Sequence, residues 1–145
     1  MKHFILIIIL LLQLSCSKDE TIVLGPDGTT TNVATFTVLK SGKFNSSSGY
    51  PTNGTAQLIL DSTSKYRVRL ADDFSTSFST GSVTIYLSKT MNLNLNDSSS
   101  FIRLAVINKN GMHQFKLEDK PADALGAVVV WCQPAGVKFG HADLK

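Results

Sequence analysis

Alternation with a period of two residues is the feature that most limits what this chain can become. In Tyr66-Arg67-Val68-Arg69-Leu70 the apolar side chains take one face and the arginines the other, the pattern of a strand with one solvated face. Short apolar runs recur from Ala34 onward, and turn-forming residues separate them. Thr35-Phe36-Thr37-Val38-Leu39 leads into Ser41-Gly42-Lys43-Phe44. Residues 55–60 are expected to form a hairpin with residues 66–70, and residues 83–87 form a further strand. Residues 101–107 and 112–117 flank Asn108-Lys109-Asn110-Gly111, and Asn-Gly between apolar runs predicts a hairpin. Ala127-Val128-Val129-Val130-Trp131-Cys132 is apolar on both faces, as expected of a central strand covered on each side. Val137-Lys138-Phe139 closes the series. Residues 45–54 are polar, with two glycines and one proline, and read as a loop. Asn92-Leu93-Asn94-Leu95-Asn96 alternates too, but it runs into Asp97-Ser98-Ser99-Ser100 and reads as strand or loop.

Composition agrees with this pattern. Charged residues make up only 17% of the chain, below the usual quarter, and Ser, Thr and Asn fill the gap. That excludes a helical bundle and a highly charged disordered chain. A formal charge of +3 is too weak and dispersed to indicate a nucleic-acid partner. The fold class expected over residues 34–145 is all-β: an antiparallel sandwich or barrel-like domain of about eight strands. Such a length buries a real core without a disulfide.

The amino terminus has another purpose. Met1-Lys2-His3 is a short basic start, residues 4–12 are apolar, and Leu14-Ser15-Cys16 follows. This order describes a secretory signal, and the apolar run is too short to span a bilayer. Leu14-Ser15-Cys16 resembles a bacterial lipobox, in which the cysteine is lipidated and becomes the first residue. Ser17-Lys18-Asp19-Glu20 looks like the surface-export tag of Bacteroidetes lipoproteins. The expected division is a signal peptide over 1–15, lipidated Cys16 with a tether over 16–33, and a β domain over 34–145. The tether contains Gly25-Pro26-Asp27-Gly28, which is turn chemistry. In extended form it reaches on the order of 50 Å from the lipid. The expected location is the outer membrane, facing the cell exterior, with the membrane as a partner through the lipid.

Three stretches together resemble the DM-thirteen (DM13) domain, an extracellular β domain. They are Gly54-Thr55-Ala56, then Leu70-Ala71-Asp72-Asp73-Phe74-Ser75 running on to residues 83–88, and finally Val128-Val129-Val130-Trp131-Cys132 followed by residues 137–144. The last stretch, a hydrophobic-Trp-Cys strand and then Phe139-Gly140-His141-Ala142-Asp143-Leu144, matches the family's closing signature. The resemblance covers roughly residues 36–144. One departure is Gln133-Pro134-Ala135-Gly136, where the family often has a basic or aromatic residue. The resemblance implies a β-sandwich-like fold and a redox or electron-transfer role centred on the family's cysteine, here Cys132.

With Cys16 lipidated, Cys132 is the remaining thiol of the mature chain. Its chemistry leaves three roles open. It shares strand parity with Val128 and Val130, so it packs as a small hydrophobe. It acts as a redox thiol if Lys138 or His141 lowers its pKa, with any resolving thiol on another chain. Or it ligates haem iron or a metal, with His113 or His141 as second ligand. No Cys-x-x-Cys-His or multi-cysteine zinc pattern is present, and neither is any hydrolase or transferase motif. Asp72-Asp73 reads as turn chemistry, and Trp131 as core on the face opposite Cys132. The function expected is a surface-tethered accessory of electron transfer, with an envelope protein or redox partner and haem as candidate cofactor. The rival is a non-catalytic binding or adhesion module in which Cys132 is core.

Overall fold

The computed structural model describes residues 35–145. The expectations for the signal peptide, Cys16 and the tether lie outside the described residues. Ten strands follow in order: β1 (Phe36–Ser46), β2 (Thr52–Asn53), β3 (Thr55–Asp61), β4 (Tyr66–Leu70), β5 (Ser75–Thr76), β6 (Val83–Ser88), β7 (Phe101–Ile107), β8 (His113–Lys116), β9 (Ala127–Cys132) and β10 (Val137–Asp143). Eight of them form one antiparallel sheet in the order β7-β6-β9-β10-β1-β3-β4-β8, nearly closed into a barrel. β2 and β5 pair separately. The all-β expectation therefore holds. Among the described residues the one helical element is a 3-10 turn at Ser98–Ser100, capped by Asp97.

β1 joins the two halves of the barrel. Its first part, Phe36 to Lys43, pairs with β3, and its last part, Phe44 to Ser46, pairs with β10. Gly42 sits at the changeover, where a Cβ would overlap the backbone carbonyl of Asp143. A glycine is required there by the close approach of two chains. The inner faces of both halves meet in one cluster that includes Phe44, Leu58, Val68, Leu70, Ile85, Leu87, Val130 and Phe139. The alternation in β4 places Val68 and Leu70 in that cluster, as expected.

Several sequence expectations need correction. β7 and β8 do not form a hairpin: they are the two edges of the sheet. Asn110-Gly111 is spent instead on holding the crossing connection. Asn110 Oδ1 accepts from the Thr76 amide at 2.9 Å, and Gly111 N–H donates to Phe74 O at 2.9 Å with φ +89 at the glycine. Residues 45–54 are not wholly a loop, because β1 runs on to Ser46 and Thr52–Asn53 is paired. Residues 92–96 form no strand. Nor are the β4 arginines simply solvated. Arg67 Nε pairs with Asp61 at 2.6 Å, while Arg69, with only 13% of its side chain exposed, donates to Gln57 at 2.9 Å and lies 5.2 Å over the Phe36 ring.

Candidate functional site

Strand β9 is paired on both sides and five of its six residues are buried. Val128, Val130 and Cys132 point into the core, as their shared parity requires. The ladder with β6 ends at the Thr84–Trp131 pair, one residue short of Cys132, whose ladder partner is Val137 of β10. On the β6 side the thiol instead meets the loop before that strand. Its Sγ lies 3.2 Å from Thr80 Oγ1. Cys132 is a free, fully buried thiol with 0% exposure. Thr80 was not singled out from the sequence, and no periodic signal marks it, since the contact spans 52 residues.

Neither histidine joins the thiol. His141 is opposite Val129 in the β9–β10 ladder, between core residues Phe139 and Ala142, and faces outward. Burial, and next the Lys138 charge, push its pKa below the usual imidazole value, with Asp143 opposing; its Nδ1 is buried without a hydrogen-bond partner. Lys138 points to the same outer side, where its Nζ donates to Met91 O at 3.0 Å and Asn92 Oδ1 at 2.9 Å. His113 lies on the edge strand β8, stacked on Phe115 at 6.0 Å, with Nε2 2.9 Å from Lys109 O. Cavities of about 110 and 420 Å³ border the barrel among the described residues, and Cys132 lines neither of these. Among the described residues no group of three His, Cys, Asp or Glu is placed to hold a metal ion. A haem held between Cys132 and either histidine does not fit this arrangement, because the sulfur faces packed core while His141 faces the outer side of the sheet and His113 is engaged on the edge strand. The departing turn is also occupied, since Gln133 Nε2 donates to Tyr86 OH at 2.6 Å. Trp131 lies on the face opposite Cys132, as expected, but it is half-buried rather than core, with its Nε1 unpartnered.

The remaining signature residues build the fold around the thiol. Asp73 accepts from the Thr55 amide at 2.9 Å, the Thr55 hydroxyl at 3.0 Å and Lys43 Nζ at 3.2 Å. Burial tends to raise its pKa, but the Thr55 and Lys43 contacts outweigh this and hold it low. Asp72 turns instead to Arg69, at 3.5 Å. Gly54, at φ +101, allows this join, because a Cβ there would come within 2.6 Å of the Asp73 carbonyl oxygen. The closing stretch is knitted in the same way. Thr52 Oγ1 donates to Phe139 O at 3.1 Å and meets Thr76 Oγ1 at 2.9 Å, while Tyr50 stacks on the Phe139 ring at 3.9 Å. Gly140 leaves room for Thr52, whose Cβ would lie 2.6 Å from an added Cβ. Most of the signature is thus structural, and the buried thiol of Cys132 packs within it.

A family model described as Electron transfer DM13 matches residues 43–144. No curated protein and no solved structure matches the chain.

Proposed function

This chain belongs to the Electron transfer DM13 family, and from that premise we propose that it is an envelope lipoprotein, anchored through Cys16, whose domain serves electron transfer through Cys132. Family membership supports an electron-transfer-related role. The observation that carries the finer reading is the position of the thiol. It closes a strand paired on both edges, and at its end a hydroxyl rather than a β-ladder covers it on one side. The thiol exchanges electrons only after the Thr80 side has moved, since a thiolate must form and meet its partner. Any partner brings its own redox group, because the described residues hold no second cysteine.

The test is native-state thiol labelling combined with redox titration against a glutathione series. Reversible mixed-disulfide formation at Cys132, absent in Cys132→Ser, supports the reading. A thiol that reacts only at the rate of global unfolding overturns it. Burial of the sulfur at 0% exposure favours the second reading, a non-catalytic binding or adhesion module with Cys132 as core. For the anchor, incorporation of labelled palmitate that is lost in Cys16→Ala supports the lipoprotein. Protease shaving of intact cells tests display on the outer face.

A further inference from the structure

We infer that the open side of the barrel, between β7 and β8, binds a small amphiphile with an acyl tail and a carboxylate head. The sheet order leaves these two strands as edges, and both border one cavity of about 420 Å³, through Ile102, Arg103 and Leu104 on one side and Lys116 on the other. That volume lies in the range of about 300–1,000 Å³ usual for small-molecule sites.

The wall of the cavity is apolar where it meets the core. Leu104 packs against the central cluster and Leu117 is 4% exposed. Ile102 is the telling residue. Its cross-strand partner Leu87 is fully buried, so Ile102 shares that inward face, yet it is 37% exposed. An inward-facing isoleucine stays wet because no strand lies beside β7 to cover it. A second cavity of about 110 Å³ lies on the other side of Lys120-Pro121-Ala122, which walls both. This strap separates two spaces that one bent acyl chain would fill together if the strap moved.

The rim sets the charge of the head. Arg103 and Lys116 come from opposite edges, both are exposed, and neither has a carboxylate partner among the described residues. Arg103 is paired across the ladder with the outward residue Tyr86, and Lys116 with Arg67, so both cations stand at the outer lip above the apolar wall. The lining also carries Lys120, Glu118 and Asp119, and Lys120 is paired with Asp123 at 3.8 Å, so the cations at the outer lip are Arg103 and Lys116. A carboxylate set between Arg103 and Lys116 gains charge-assisted hydrogen bonds, and an ammonium head is repelled there.

The test is calorimetric titration of the full chain with decanoate, below its micelle threshold, and with decylammonium, which has the same tail and the opposite head. Decanoate is expected to bind at least about tenfold more tightly than decylammonium, since only the anion gains charge-assisted bonds. The double variant Arg103→Glu/Lys116→Glu changes exposed residues only, so its circular dichroism and melting point should match the parent. In it the preference should vanish or reverse. Equal binding of the two heads, an unchanged preference in the double variant, or no binding of decanoate by the folded parent would each overturn the proposal.

Discussion

Strands β9 and β7 are both bonded to β6, yet their circumstances are opposite. β9 is paired on both edges, and its side chains are buried on both faces apart from the half-exposed Trp131. β7 is paired on one edge and exposes Ile102 and Val106, at 37% and 51%. The two sequences, AVVVWC and FIRLAVI, are similarly apolar. Hydrophobicity alone did not decide which became central. The number of paired edges did, and with it the division between a closed side that holds the thiol and an open side that holds cavities.

The sharpest way to break this contrast is to place one charge on each strand. Val130→Asp puts a carboxylate at a site with 0% exposure, and it should cost more than about 4 kcal/mol and abolish cooperative unfolding in urea. Cys132→Ser tests the end of the closed strand. It exchanges a buried thiol for a hydroxyl that can still reach Thr80, so a loss of about 1–2 kcal/mol in unfolding free energy, read from urea denaturation, is expected. No change at all would mean that the thiol side is already loosely packed.

A smaller effect is expected at the end of the β3–β4 hairpin. The Thr63 hydroxyl, then the Lys65 amide and Arg67, hold the Asp61 carboxyl well below its usual range, against some desolvation. A lowered native pKa stabilises above the unfolded value near 4, and the contribution is lost as pH falls below that toward the native value. Asp61→Asn should therefore lower stability at pH 7 and flatten its decline between pH 5 and pH 2, read from urea midpoints across that range. An unchanged acid limb would show that Asp61 is not its source. The smallest effect belongs to the open edge, where Ile102→Asp should stay within about 0.5 kcal/mol of the parent. A loss comparable to that of Val130→Asp would erase the distinction between the two strands.

Much of the architecture was legible because it rests on local alternation. β3, β4, β6 and β9 fall where period-two or doubly apolar runs placed them. Pairing across the barrel was not legible. Asn110-Gly111 carries a hairpin cue, but the cue describes a turn and says nothing about which strand comes next to which edge. β2 and β5 were missed because each has two residues, too few for any period, and they are held by the Thr52, Thr76 and Phe139 bonds between distant segments. At the thiol, strand parity correctly put Cys132 inward beside Val128 and Val130. The same parity, continued across the β9–β10 turn, would have set His141 on the outer face, had the one-residue bulge between Lys138 and Gly140 been visible in the sequence. Thr80 was beyond reach, since a loop that replaces a missing ladder partner leaves no pattern of its own.

The shared strand β1 also governs how the domain bears load. A pull that enters ahead of Phe36 arrives on a strand bonded to β3 along Phe36 to Lys43 and to β10 along Phe44 to Ser46. Peeling it away removes the only backbone ladder, among the described residues, between β3-β4-β8 and β7-β6-β9-β10. The first strand is thus a mechanical clamp. Traction that the clamp resists leaves the domain whole, and traction that defeats it leaves the two halves held by core packing and connecting loops rather than by a backbone ladder.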